Sequence, residues 1–274
     1  MSRRISVIFI ALLGIVAIAF AEEGPTITLV PSEGYVGTVV AVIGSNFDPN
    51  ENVGNLVFGN ITITKEAHNL QALAGEITEG NSIKADSSGY FYVTFEVPEH
   101  QGGDILVGIA TLPKKTFKLK GSIRRITPVS ARYGDTVTVE LVGWKSDPNN
   151  KVKVQAGWKD DGSPNIFEVV VGSNGSKSVP VTIGNMPFGY QPIIASQDQP
   201  IIASQAGMEE YRKLIYILPK LVAPAAKSAT RNDEITIKGK GFSPGEKLEL
   251  FIDGDKVKWK VGCLLYTSDA ADEL

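Results

Sequence analysis

Apolar and polar residues alternate in three well-separated stretches of the chain. They read YVGTVVAVIGSNFDPNENV from Tyr35, YGDTVTVELVGWKSDPNNKV from Tyr133 and NDEITIKGKGFSPGEKLEL from Asn232. A period of two means half-buried strands. It predicts that Val40, Val42, Val137, Val139, Ile235 and Ile237 face a core while the intervening Thr and Lys face water. Each stretch then meets an aromatic residue (Phe47, Trp144, Phe242) and a turn containing Pro49, Pro148 or Pro244. Proline presets such a turn and cannot join a central ladder. Trp144 follows Phe47 by 97 residues and Phe242 follows Trp144 by 98, a spacing that implies tandem domains rather than a short solenoid repeat.

The second half of the unit also recurs. ADSSGYFYVTFEVPEHQGGDILVGIA from Ala85 matches VGSNGSKSVPVTIGNMPFGYQPIIAS from Val171, with Gly89 against Gly175 and Gly103 against Gly189. KTFKLK and KLIYIL close the two units. About seven short strands per repeat, with almost no helical periodicity, predict an all-β chain of tandem immunoglobulin-like β-sandwiches. The expected units are 22–122, 123–220 and a truncated third at 221–262. The two halves are offset by 97 and 86 residues, so the first repeat holds about 11 extra residues between them. EAHNLQALAGEITEG is the source, read as a long loop or one short helix, with Leu70, Leu73 and Ile77 capping one end of the sandwich. In the second repeat QPIIASQD is followed at once by QPIIASQ, either a duplication that makes a long loop or an assembly error.

Composition narrows the picture. The 274 residues are 43% apolar and 21% charged, with a net charge of −3. That is a globular composition without the basic excess of a nucleic-acid binder. Residues 1–21 read as a signal peptide: Arg3 and Arg4, the apolar run ISVIFIALLGIVAIAF, then small residues around Ala19 and Ala21. An uncleaved anchor is the competing reading. The lone cysteine, Cys263, rules out an internal disulfide, so stability must come from the cores.

The opening of the first repeat resembles the IPT/TIG-type immunoglobulin-like domains of prokaryotic surface proteins. Gly37, Val40, Val42, Gly44, Phe47, Pro49 and Glu51 fit that family's first motif, and Asp86 with Gly89 fits its later turn. The third repeat keeps Gly239, Phe242, Pro244 and Glu246. The second keeps Gly134 and Pro148 but departs at Leu141 and Trp144, and adds two residues before Val152. The resemblance implies extracellular sandwich modules that bind proteins or sugars, space other domains or build surface layers, with no shared catalytic residues. The tail CLLYTSDAADE from Cys263 resembles a translated sequencing adapter. Residues 263–274 are therefore expected not to be natural, and the third repeat to be a fragment of a longer protein.

Little chemistry is legible. GFSPG (241–245) matches the serine-hydrolase elbow in letters, but Pro244 follows the serine and has no N–H to serve an oxyanion hole. His68 and His100 lack ligand spacing. DPNEN (48–52) and SDPNN (146–150) gather oxygens either for calcium or for Asx turns. Trp158 either contacts a ligand beside its turn or covers the sandwich end. Asn60 and Asn174 begin glycosylation sequons. No catalytic, metal or cofactor site is expected. The expectation is an exported, non-enzymatic surface or extracellular protein with an adhesive, structural or spacer role. Surface proteins or glycans would be its partners and nucleic acid would not. Membrane attachment would come only through the export signal or a missing C-terminal anchor. The alternative is the accessory region of a secreted enzyme whose catalytic domain lies beyond the break.

Overall fold

The computed structural model describes residues 24–109, 112, 114–197, 212–222, 230, 235–243, 247–252 and 255–256. The expected signal peptide, the second QPIIASQ copy, Pro244, Glu246 and the tail lie outside these residues. Among the described residues, no helix is long and apolar enough to cross a membrane.

The first sandwich holds β1 (Thr26–Val30), β2 (Glu33–Gly34), β3 (Val39–Ser45), β4 (Asn52–Phe58), β5 (Ile61–Thr62), α1 (Lys65–His68), β6 (Gln71–Ala74), β7 (Glu76–Ile77), β8 (Ser82–Lys84), β9 (Phe91–Glu96), β10 (Gly103–Ile109) and β11 (Lys115–Leu119). One sheet runs β1-β3-β9-β6; the other runs β2-β11-β10-β4-β8-β7, with β5 also on β4. The second sandwich holds β12 (Ser122–Thr127), β13 (Ser130–Arg132), β14 (Thr136–Val142), β15 (Val152–Trp158), β16 (Pro164–Val169), β17 (Lys177–Thr182), β18 (Gly189–Ser196) and β19 (Arg212–Leu218). Its sheets run β12-β14-β17 and β13-β19-β18-β15-β16. In both, the first strand switches sheets so that its second part pairs parallel with the last strand, β2 with β11 and β13 with β19. Among the described residues, every other pairing within these two sandwiches is antiparallel. This is the immunoglobulin-like arrangement.

Alternation sets the cores as expected at Val40, Val42, Val137 and Val139, all buried. Each such side chain removed from water contributes about 1.5–3 kcal/mol. Phe58 centres the first core, edge-on to Phe95 at 6.1 Å and Phe117 at 5.7 Å. The second core gathers Leu141, Val152, Val154, Ile183, Ile193 and Ile215.

The repeated motif is explained by one backbone lock. Phe47 N–H donates to the Gly89 carbonyl (3.1 Å), and Trp144 N–H to that of Gly175 (3.0 Å). Both glycines have positive φ, 74° and 75°. A Cβ on Gly89 would sit 2.0 Å from the Phe47 carbonyl, and one on Gly175 would sit 2.6 Å from that of Trp144. Only glycine permits the turn and the close approach together. The departure at Leu141 has an equally local cause. Gly44 pairs with Phe91, whose ring lies 2.0 Å from where a Cβ would be; Leu141 pairs instead with the exposed Lys177. Volume moves from one strand to its neighbour.

Four expectations need correction. The extra residues of the first repeat form most of α1 together with β6 and β7, which extend one sheet each. Leu70 is buried and Ile77 packs on the core, but Leu73 is 63% exposed. Ile235 and Ile237 are 47% and 37% exposed rather than inward. The third repeat's described strands are β20 (Lys220–Val222) with β21 (Lys238–Lys240) and β22 (Phe251–Ile252) with β23 (Asp255–Lys256), two separate pairs with no facing sheet among the described residues. The first QPIIAS copy lies in β18, not in a loop.

Candidate binding surface

The residues singled out from sequence fall into separate places. Trp158 ends β15, half-buried. Its backbone exchanges hydrogen bonds with Asn185, donating at 3.2 Å and accepting at 2.7 Å. In the following turn, the Asp160 carboxylate accepts from the Tyr133 hydroxyl (3.1 Å) and Lys240 Nζ (2.8 Å), and Lys240 sits 5.0 Å over the Tyr133 ring. The Lys240 hydrogen bond holds Asp160 below the usual carboxylate range, while burial and then Asp160 push Tyr133 up. Gly134, beside Tyr133, has a positive φ of 80° and Gly37 one of 86°, which fits their turn positions. A Cβ on Gly239 would meet the Phe242 ring at 2.7 Å.

Asn60 is exposed in the β4–β5 turn. Asn174 is engaged instead. Its Nδ2 lies 3.5 Å from Glu99 Oε2, Ser176 Oγ donates to the same oxygen at 3.1 Å, and Arg124 pairs with Glu99 at 2.6 Å. Gly102 N–H also donates to the Trp144 carbonyl at 3.1 Å. The second sequon therefore belongs to the junction between the sandwiches. In the turns after Phe47 and Trp144, side-chain oxygens accept backbone N–H groups: Glu51 from Asp48 (2.9 Å) and Asp147 from Asn149 (2.9 Å). Those bonds complete turns around Pro49 and Pro148. Among the described residues, no group of three His, Cys, Asp or Glu could hold a metal. His68 Nδ1 accepts from Thr64 N–H (3.1 Å), and burial lowers its pKa. His100 packs edge-on to Phe58 at 6.0 Å.

The feature that most resembles a binding site was not singled out from sequence. Ile193 and Ala195 of β18, and Ile215 and Ile217 of β19, enter the core. Alternation then sends Tyr190, Pro192, Ile194, Leu214 and Tyr216 to the outer face. There Tyr190 pairs with Tyr216, Pro192 with Leu214, and Gln155 with both Ile194 and Ile166. Tyr190 is 70% exposed and Leu214 is 59% exposed; Phe188, Ile166 and Val129 are also exposed. Tyr216 meets Phe188 at 5.5 Å and Tyr190 at 5.0 Å, both edge-to-face, and its N–H donates to the Val129 carbonyl (2.9 Å).

A solvated antiparallel sheet normally carries polar residues outside, as the first sandwich does. Gly103 opposite Leu119 corresponds to Gly189 opposite Ile217. The next outward pair is Asp104 with Lys118 in the first sandwich and Tyr190 with Tyr216 in the second. After it come Leu106 with Thr116 and Pro192 with Leu214. Leu106, at 53% exposure, stands among polar neighbours. The second sandwich's other outer face is also polar, with Arg125, Thr127, Thr138, Glu140 and Ser178. The signal was present in the sequence: YQPII and KLIYIL are apolar in both phases of the alternation.

No family model and no curated protein matches the chain. Among solved structures, it is similar to the D0-D1 domain of intimin, at 15% identity over 64% of this chain and 91% of that one, with a TM-score of 0.20. It is similar also to the teleost fish polymeric Ig receptor ectodomain, at 11% identity over 70% and 97%, TM-score 0.23. The extracellular region of plexin A4 is matched at 14% identity over 85% of this chain but 22% of its own length, TM-score 0.23. The assignment of this chain to the immunoglobulin-like sandwiches rests on its strand order and pairing.

Proposed function

We propose that the chain is an exported, non-enzymatic protein of tandem immunoglobulin-like modules, of the IPT/TIG type, that works at or outside the cell surface. It holds a protein-docking face, the outer sheet of the second sandwich, away from its point of attachment. The observation behind this reading is the uncharged cluster of Tyr190, Tyr216 and Leu214, at positions held by Asp104, Lys118 and Thr116 in the sister module, with Phe188 and Ile166 exposed on the same sandwich. Contiguous apolar surface of this kind marks interaction sites. A protein fits better than a glycan. Tyr216 stands edge-on to both neighbouring rings, at 76° and 73°, so the rings make a corrugated surface rather than the flat platform on which a sugar stacks. The first sandwich and the Glu99 junction supply reach and orientation. Binding of the purified chain to envelope fractions of the source cells tests the reading. The double variant Tyr190→Glu/Leu214→Glu should lose that binding, and equal binding by both proteins would sink it.

A further inference from the structure

We infer that the occupant of this face is a second copy of the same chain, an inference that rests on the docking reading above. Among the described residues, the centre of the surface (Tyr190, Tyr216, Pro192, Leu214 and Ile194, with Gln155 between Ile194 and Ile166) holds no side chain that is charged at neutral pH. Two copies can therefore meet face to face without like-charge repulsion and without desolvating charged groups such as Asp104 and Lys118 of the first sandwich. Sheets that pack by their faces align within about 30° and interdigitate side chains, and the edge-to-face rings provide the ridges for this.

The edges carry complementary charge. Arg212 lies on β19 in the same row as Ile194. Glu168 lies on β16, the edge strand at the far side of the sheet, opposite Lys153. A two-fold axis along the strands lays the β19 side of one sheet over the β16 side of the other. That operation brings Arg212 of each copy toward the Glu168 of its mate, twice, as an isologous contact requires.

Area sets the size class of the contact. From the exposed fractions, the face offers roughly 500 Å² per copy, near the most that a monomer leaves uncovered. Two such faces and a polar rim reach the lower end of specific interfaces, about 1,200 Å² in total. That size belongs to weak, reversible encounters, and association is expected within the micromolar range.

Sedimentation velocity of the purified chain across about 1–200 μM is the test, with circular dichroism to confirm folding of each variant. The wild type should pass from monomer to dimer. Tyr190→Glu/Leu214→Glu should stay monomeric, a loss of at least about a hundredfold in affinity. Leu106→Glu, on the corresponding sheet of the first sandwich, should associate like the wild type. A wild type that is monomeric throughout overturns the inference, as does a dimer that survives the double substitution. Envelope binding separates the two levels. A monomeric wild type whose envelope binding is lost in the double variant removes only the second copy as occupant. If envelope binding is unchanged as well, the docking reading falls with it.

Discussion

The two sandwiches share their strand order, their sheet-switching first strand and their glycine–aromatic lock, yet corresponding outer positions hold Asp104 and Lys118 in one and Tyr190 and Tyr216 in the other. Inside, the copies solve one packing problem, so their residues change in compensating pairs, as Gly44 with Phe91 and Leu141 with Lys177 do. Outside, packing demands are weaker, and we read the difference there as a sign of what the surface meets. Divergence between tandem copies of one fold is thus more informative about function than any motif they share.

The largest expected effect tests the internal equivalence. Gly44→Leu drives a side chain into the Phe91 ring and should cost more than about 3 kcal/mol in chemical denaturation. Adding Phe91→Lys, which completes the second sandwich's pair, should recover a substantial part. Strict additivity of the two substitutions would break the proposed correspondence. A smaller effect concerns the outer face. Tyr190→Asp/Tyr216→Lys installs the first sandwich's pair on the second. Because these side chains lie on the solvent side, stability should move by no more than about 1 kcal/mol, while association and envelope binding disappear. A large drop in melting temperature would mean that the aromatic cluster serves the fold.

The junction ranks next. Glu99 gathers Arg124, Ser176 and Asn174 from the second sandwich. Glu99→Ala should leave each sandwich's stability within about 1 kcal/mol, since the ion pair is partly solvated. It should also broaden the interdomain distance distribution seen by small-angle scattering, and an unchanged distribution would remove Glu99 as the clamp. The smallest effect is a pH dependence confined to the first sandwich. The folded state lowers the His68 pKa through burial, so the unfolded chain binds the proton more readily. This contribution is complete above the ordinary histidine value of about 6.5 and is lost as pH falls below it. His68→Gln should flatten the part of the acid-side fall in stability that belongs to this residue, and an identical profile would assign that fall elsewhere.

Much of the fold was legible because burial imposes alternation, and Val137 and Val139 could only be read one way. Ile235 and Ile237 carry the same pattern and are exposed. Alternation records what a strand is built to bury, whereas burial also needs a facing sheet. Leu73 misled for a related reason: it lies in β6, an edge strand added to the first sheet, with an outward side chain. The repeated Gly89 and Gly175 were visible as motif positions, but their reason, the approach to the Phe47 and Trp144 carbonyls, is a long-range contact that spacing does not reveal. The proposed docking face was written in KLIYIL and YQPII. A strand apolar in both phases reads first as a doubly buried strand, and only the sandwich geometry shows that Tyr190 and Leu214 stand exposed on its outer side.

Hydroxyl-radical footprinting at low and high protein concentration, read residue by residue, tests most directly whether the two outer faces differ in function. Leu214, Tyr190 and Tyr216 should become protected as concentration rises while Leu106, similarly exposed on the sister sheet, stays equally reactive. Constant reactivity at all four positions, or parallel protection of Leu106, would contradict the account.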